Sequence, residues 1–235
     1  GGYAEQVAVN VSRCVAMPVA MSWEHGAAFP AVVGTSHVAL WPRARLRVGE
    51  TLVVHGASGG VGLTAVSIGK KLGATVIATA NGPEKLKVAR RQGADYLIDT
   101  SHEEVRTRIM ELTNGRGADV IYDPIGGDSF TASLRSVAFE GRILVIGFAG
   151  GTVPQILANH LLVKNVDVIG LNWPVYAELN PQVMTESLQI LLQWYVAWAI
   201  QPHISATYPL ERAVEALHQV VARKSTGKVV ITVGG

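Results

Sequence analysis

The sequence of 235 residues contains 49% hydrophobic and 16% charged residues and carries a formal net charge of +2. This balance excludes a disordered chain and provides the core for one large domain, or for one domain and part of another. The small net charge does not favour nucleic acid as a partner, and no apolar run reaches the about 20 residues that cross a bilayer.

The first part of the chain predicts one strand and one helix. Residues 3–11 indicate an isolated strand, and Ser22 before Trp23 is typical of a helix N-cap, where a hydroxyl accepts a free backbone amide. The first residues include neither an initiator methionine nor a charged and apolar leader. We therefore expect the chain to begin inside a longer protein.

From residue 52 onward, short apolar or β-branched runs alternate with helical stretches. The predicted strands are residues 52–55, 75–80, 96–99, 118–123 and 142–147. The predicted helices are residues 60–72, 83–92, 103–113 and 129–139. Near-continuous Val, Ile and Leu in strands that alternate with helices is typical of a parallel sheet covered on both faces. The sequence therefore predicts a doubly wound α/β domain.

The last part of the chain predicts elements of a second domain. Pro181 opens a helix over residues 182–199, and residues 205–233 predict a strand, a helix over 210–222 and a final strand over 228–233. We expect residues 22–204 to form the main domain. Residues 1–21 and 205–235 are expected to be parts of the other domain.

A glycine-rich turn follows the first strand of the alternating series. In the run Gly56-Ala57-Ser58-Gly59-Gly60-Val61-Gly62, Gly59 and Gly62 occupy the second and third positions of the dinucleotide-binding fingerprint, with Ala57 in place of the first glycine. The helix that follows presents unpaired amides and the positive end of its dipole to a phosphate anion. This context predicts a Rossmann dinucleotide-binding domain.

The end of the second strand indicates which dinucleotide is bound. An NAD-binding domain usually carries an acidic residue there for the ribose hydroxyls, but this chain has Asn81 and Gly82, followed by Lys85, Lys87 and Arg90. The predicted cofactor is therefore NADPH, with Lys85 as the best candidate for its extra phosphate. The alternative is that these cations form only the solvated face of a helix.

Several motifs in order resemble the zeta-crystallin-like quinone oxidoreductases, the zinc-independent branch of the medium-chain dehydrogenase/reductase superfamily. The resemblance is carried by Gly2-Tyr3-Ala4-Glu5, Ala28-Phe29-Pro30, Gly34-Thr35-Ser36, Val54 through Gly62, Gly93-Ala94-Asp95, Tyr122-Asp123-Pro124-Ile125-Gly126-Gly127, Gly141 through Gly147, and Ser225-Thr226-Gly227-Lys228. It implies a nucleotide-binding domain inserted into a GroES-like, β-rich catalytic domain, of which only remnants stand at both ends of this chain. It also implies a homodimer joined through the last strand of the nucleotide sheet, near residues 166–171.

The resemblance implies cofactor contacts at the ends of the strands, from the adenosine end to the nicotinamide end. The implied contact residues are Thr35, Ser58, Gly59, Gly60, Val61, Asn81, Lys85, Gly126, Gly147, Phe148, Ala149, Leu171 and Asn172. Two departures from the family pattern, Gly82 and Thr100 in place of Ser and Tyr, affect the adenosine end.

The resemblance and the cysteine content together indicate a hydride acceptor that is reduced without a metal ion. Zinc alcohol dehydrogenases of the superfamily have a cysteine ligand in the segment occupied here by Gly34-Thr35-Ser36. The one cysteine, Cys14, excludes an internal disulfide and a zinc site with several thiolates, which favours a reducing compartment, the cytoplasm. We therefore expect no metal, and hydride transfer to a quinone or an α,β-unsaturated carbonyl compound.

The sequence singles out no catalytic acid or base. His37 and His55 are expected to be structural, and Asp123 to orient a backbone amide after the fourth strand. Two alternative functions stay open: a non-catalytic NADPH-binding protein, structural or regulatory, and an enoyl-thioester reductase.

Overall fold

The structure is a computed structural model that describes residues 2–234, so Gly1 and Gly235, at the ends of the two predicted terminal segments, lie outside the described residues. Its centre is a parallel sheet of six strands in the order β3-β2-β1-β4-β5-β6, which confirms the doubly wound α/β fold. The strands are β1 Thr51–Val54, β2 Thr75–Ala80, β3 Tyr96–Asp99, β4 Ala118–Asp123, β5 Val137–Val145 and β6 Asp167–Gly170.

Helices cover both faces of the sheet. They are α1 Trp23–Ala28, α2 Pro30–Val38, α3 Gly60–Lys71, α4 Pro83–Arg91, α5 Val105–Leu112, α6 Gly127–Ser136, α7 Ala158–Lys164, α8 Trp173–Leu179 and α9 Pro181–Val196. Because side chains alternate along a strand, Leu52 and Val54 of β1 join the core beneath α2, α3 and α9. Val53 joins the opposite core, with Ile109 of α5 and Phe130 of α6.

The boundary between α6 and β5 differs from the predicted one. Helix α6 begins and ends earlier than expected, and β5 already starts at Val137, which pairs with Ala118 of β4. The register with β4 then shifts, because Glu140 adopts a positive φ of 56° and inserts a bend into the strand. The apolar residues 137–139 therefore belong to the strand, although they continue the apolar pattern of the helix.

The predicted strand at residues 3–11 is wrong. These residues form no strand, and a 3₁₀ turn follows at Val11–Arg13. Val7 and Val9 are 62% and 63% exposed. Among residues 2–234 they pair with no other strand, and a lone strand without a partner is not stable in water. The N-cap prediction is confirmed, because Ser22 Oγ accepts the amide of His25 at 3.2 Å.

The C-terminal segment forms a small unit of its own. It contains β7 Ile204–Pro209, a 3₁₀ turn, α10 Ala213–Val221 and β8 Lys228–Thr232, and the two strands pair in parallel. This confirms the predicted order of strand, helix and strand. The unit contacts the main sheet at the glycine turn, where the amide of Gly227 donates to the carbonyl of Ser58 at 2.8 Å.

Candidate functional site

A groove lies at the carboxyl ends of β1, β4, β5 and β6, where the strand order of the sheet reverses. Such a switch point is where doubly wound sheets bind ligands. The largest part of the groove is a cavity of about 830 Å³. Seven of the predicted contact residues line it: Thr35, Val61, Gly147, Phe148, Ala149, Leu171 and Asn172.

The glycine turn forms the floor at one side of this groove. The amide of Gly59 donates to Gly56 O at 3.0 Å, so it closes the turn. The amides of Val61 and Gly62, at the start of α3, have no acceptor among the described residues, whereas the amide of Gly60 faces the carbonyl of Gly227 beside the isolated β-bridge between Gly59 and Gly227. The two unpaired amides and the helix dipole therefore provide the positive end that suits a pyrophosphate.

The two glycines of the fingerprint have different roles. A Cβ at Gly62 would lie 2.3 Å from Gly56 O and 2.8 Å from Ala57 Cα, so only glycine allows α3 to pack against the turn. A Cβ at Gly59 would meet only Gly56 O, at 3.5 Å, and the φ of −82° suits any residue. The protein itself therefore tolerates a side chain at Gly59, which would instead enter the space in front of the turn.

The adenosine end implied by the resemblance lies between β2, α4 and the C-terminal segment. Asn81 is exposed and Lys85 is half-buried. Lys85 Nζ donates to the carbonyl of Arg223 at 3.0 Å, and Arg223 Nη2 donates to Ala149 O at 2.9 Å. The sequence analysis missed Arg223, and only its place before the Ser225-Thr226-Gly227 motif signals it.

The end of β2 has no carboxylate of its own, as expected, but the carboxylate of Asp99 on the neighbouring strand β3 lies beside it. Asp99 ends β3, and its Oδ1 accepts the amides of Gly82 at 2.9 Å and Ser101 at 3.0 Å. The hydroxyl of Ser101, followed by these amides, holds the pKa of Asp99 well below its usual range. These donors all bind Oδ1, so Asp99 fixes the end of β2, while His102 Nδ1 lies 3.3 Å from Oδ2. The signal for Asp99 is its position at the end of the strand next to β2.

Asp123 organises the loop between β4 and α6, as expected for a residue that orients a backbone amide. Its Oδ1 accepts the amides of Ile125 at 2.8 Å and Gly126 at 3.0 Å. The carbonyls of Pro124 and Ile125 then accept the amides of Ala149 and Gly150 at 3.0 and 2.9 Å. Asp123 therefore supports the wall of the groove through two successive sets of hydrogen bonds to the backbone.

The nicotinamide end implied by the resemblance is built from α2, the end of β6 and α8. Thr35 is half-buried, and its Oγ1 donates to Ala31 O at 2.6 Å. A Cβ at Gly34 would lie 2.3 Å from the Trp173 ring, so glycine lets Trp173 pack against α2. Trp173 is 7% exposed and gives this end an apolar wall beside Leu171.

Gly126 and the remaining predicted residues frame the groove without lining the main cavity. Gly126 has a φ of 73°, and its Cβ would be 2.7 Å from Thr152 O, so this position requires glycine. Ser58 is buried and offers its carbonyl to Gly227, and the Cβ position of Gly60 faces Val32 at 3.0 Å.

The two histidines named in the sequence analysis, His37 and His55, are both buried. His37 Nδ1 lies 2.8 Å from Ser187 Oγ, and burial lowers the pKa of His37 to about 4. His55 bridges Thr79 and Ser133, each at 3.0 Å, and burial lowers its pKa, although the charge of Asp123 acts in the opposite direction. Both are therefore neutral structural groups at neutral pH, and neither lines the groove.

The residues of the segment 34–36 do not fit a zinc ion. Ser36 Oγ is buried between Thr64 Oγ1 at 2.8 Å and the Tyr122 hydroxyl at 3.0 Å, and Cys14 is exposed elsewhere. Within residues 2–234, no group of three His, Cys, Asp or Glu side chains is placed to hold a metal ion. In the same part of the chain, no helix is both long and apolar enough to cross a membrane.

Comparison with known proteins identifies relatives among the dehydrogenases and quinone oxidoreductases. The family model for zinc-binding dehydrogenases matches residues 60–191. The chain is 39% identical to the quinone oxidoreductase-like protein 2 of Bos taurus over 98% of this chain and 66% of that protein. It is 33% identical to a quinone oxidoreductase of Pseudomonas aeruginosa over 98% of this chain and 71% of that protein.

A solved structure shares the fold. The quinone oxidoreductase of Escherichia coli complexed with NADPH superposes with a TM-score of 0.86 at 27% identity, over 93% of this chain and 68% of that one. The chain spans 64% to 66% of the length of the quinone oxidoreductase-like protein 2 relatives.

The difference between the two fingerprint glycines gives a testable pair of variants. We expect Gly59→Val to lower the free energy of unfolding by no more than about 1 kcal/mol, the usual cost of an unfavourable N-cap residue, because its Cβ meets only Gly56 O at 3.5 Å. It should weaken NADPH binding at least about tenfold, since the side chain enters the space before the free amides. Urea denaturation and fluorescence titration measure the two quantities.

The matched variant Gly62→Ala should behave differently. Its Cβ meets backbone atoms, so we expect the free energy of unfolding to fall by about 1–3 kcal/mol, the usual cost of overpacking. Equal stability of both variants, or undiminished NADPH binding by Gly59→Val, contradicts this assignment.

Proposed function

Since the chain belongs to the quinone oxidoreductases of the medium-chain dehydrogenase/reductase superfamily, we propose that the protein is an NADPH-dependent oxidoreductase that reduces a quinone or an α,β-unsaturated carbonyl compound. The single observation that carries the proposal is the groove at the switch point of the sheet, with the unpaired amides of Val61 and Gly62 at its glycine turn. A solved relative of the same fold is complexed with NADPH.

The residues of this chain have distinct roles in holding the cofactor. The amides of Val61 and Gly62 bind the pyrophosphate, and the cation of Lys85 binds the adenosine phosphate. Asp123 fixes the loop that supports Ala149, and Trp173 excludes water from the nicotinamide end. Bound NADPH supplies the hydride, and the protein presents the acceptor to it.

The choice of acceptor follows from the side chains at the nicotinamide end. Thr35 and Ser36 offer hydroxyls where a zinc enzyme of the superfamily has a thiolate, so the site has no donor set for a Lewis acid. A quinone or a conjugated carbonyl compound accepts hydride through its own conjugation, and a proton from solvent completes the reduction. Zinc independence is thus part of this proposal.

The acceptor class is tested by turnover. We expect the protein to oxidise NADPH, followed at 340 nm, when a small quinone is added, and to do so after treatment with a chelator. Enones, enals and an enoyl thioester complete the panel. If NADPH binds but none of these acceptors is reduced, the protein is a non-catalytic NADPH-binding protein. If only the thioester is reduced, it is an enoyl-thioester reductase.

Lys85 is proposed to select NADPH over NADH. We expect Lys85→Ala to weaken NADPH binding about 5- to 30-fold and to leave NADH binding unchanged, because a charge-assisted contact to phosphate contributes about 1–2 kcal/mol. Lys87→Ala is the matched control, since Lys87 is exposed and pairs with Glu84 at 2.6 Å. Equal affinities of the parent for both cofactors overturn this assignment.

We also propose the domain arrangement implied by the family. Residues 22–204 form the NADP-binding domain, and residues 1–21 and 205–235 are parts of a GroES-like catalytic domain. The separate sheet of β7 and β8, which contacts the glycine turn through Gly227, supports this division. The free thiol of Cys14 is exposed, which suits a reducing compartment such as the cytoplasm.

A homodimer through β6 is the proposed assembly. Strand β6 is an edge of the sheet, and the neighbouring helix α7 exposes Leu162 and Val163 at 77% and 78%. An edge strand beside apolar side chains favours pairing with a second copy. Size-exclusion chromatography with light scattering should report twice the chain mass, and a mass that stays monomeric up to high protein concentration rejects the dimer.

A further inference from the structure

A second groove lies on the sheet face that carries α5, α6 and α7. It encloses about 630 Å³, which is within the size range of small-molecule sites. We call it the α6–α7 groove. Its lining residues are Arg106, Thr131, Leu134, Arg135, Gln155, Leu157, His160, Val163 and Lys164.

The charges of the α6–α7 groove are all of one sign. Arg106, Arg135 and Lys164 come from three different helices and line one cavity, and no carboxylate lines it. Within the part of the chain that the structure describes, none of the three forms an ion pair. Most other arginines near these helices do have a partner; Arg108, for example, pairs with Glu103 and Glu111. The groove therefore brings three positive charges together with no carboxylate among its lining residues; the carboxylate of Glu104 interacts with Arg106 but lies outside the lining.

Lys164 is held in place within this groove. It is half-buried, and Nζ donates to the carbonyls of Arg135 at 3.2 Å and Val137 at 3.1 Å, at the C-terminal end of α6. Burial, together with the positive charge of Arg106, lowers the pKa of Lys164. An anion in the groove relieves the repulsion between these cations.

The other lining residues restrict the kind of anion. Leu134, Leu157 and Val163 form apolar walls beside the cations, while the Thr131 hydroxyl and Gln155 amide provide polar contacts. A phosphomonoester carries close to two negative charges and three acceptor oxygens, so it matches three cations better than a single carboxylate does. Apolar walls favour an organic group on that phosphate over free inorganic phosphate.

We propose that the α6–α7 groove binds the phosphate group of a small organic phosphomonoester. The site is separate from the groove at the glycine turn, although the same loop contributes to both. Phe148 and Ala149 line the first groove, and Gln155 and Leu157 line the second. The proposal is therefore independent of the reaction assigned above.

The test is calorimetric titration of the full chain at low ionic strength, in a phosphate-free buffer, with inorganic phosphate and with hexyl phosphate. We expect hexyl phosphate to bind the α6–α7 groove more tightly than inorganic phosphate does. Arg106→Gln and Arg135→Gln should each weaken it about tenfold or more, since each removes a charge-assisted contact. Circular dichroism confirms that both variants are folded.

Two control variants separate this site from other cations. Arg212→Gln removes an exposed arginine paired with Glu215 and should leave hexyl phosphate binding unchanged, whereas Lys85→Gln removes the cation of the first groove and identifies any binding that takes place there. Absence of binding, or a loss caused by Lys85→Gln but not by Arg106→Gln and Arg135→Gln, overturns the proposal. Equal affinities for the two phosphates overturn the organic part of it.

Discussion

The close contact of helix α3 with the glycine turn is the constraint on which the rest of the site depends. Gly62 has no room for a Cβ against Gly56 O, and this contact sets the distance from the start of α3 to the end of β1. Because α3 begins there, the amides of Val61 and Gly62 are left without acceptors from the described residues at the edge of the groove. A phosphate is the natural partner for such a group of amides.

The C-terminal segment completes this site from a distant part of the sequence. Gly227 binds the carbonyl of Ser58, so the small sheet of β7 and β8 is anchored on the turn itself. Arg223 connects Lys85 at the adenosine end with Ala149 on the opposite wall. The C-terminal segment, which follows the main domain, therefore contacts both walls of the groove. The position of this segment and the shape of the groove depend on each other.

The sequence predicts those parts of the fold that local pattern determines. The bounds of β2, β3 and β4 agree with the prediction because glycine or polar residues end each apolar run. The pattern fails at residues 137–139, where an apolar stretch suits a helix and a buried strand equally, and at residues 3–11, where a strand needs a partner. In the site, the glycine turn can be recognised from the sequence. Asp99 and Arg223 cannot, because only the fold brings Asp99 beside β2 and Arg223 beside Ala149.

The wall of the groove is preformed, and this follows from Asp123. Its carboxylate fixes the amides of Ile125 and Gly126, and the carbonyls of this loop hold Ala149 and Gly150 in turn. The amide of Gly127, the first residue of α6, donates to Thr152 O at 3.1 Å, which ties the same loop to the helix. Loops that are ordered before binding lose less conformational entropy when a ligand arrives, so more of the contact energy remains for affinity. A buried charge is retained here because it orders two loops that have few apolar contacts of their own.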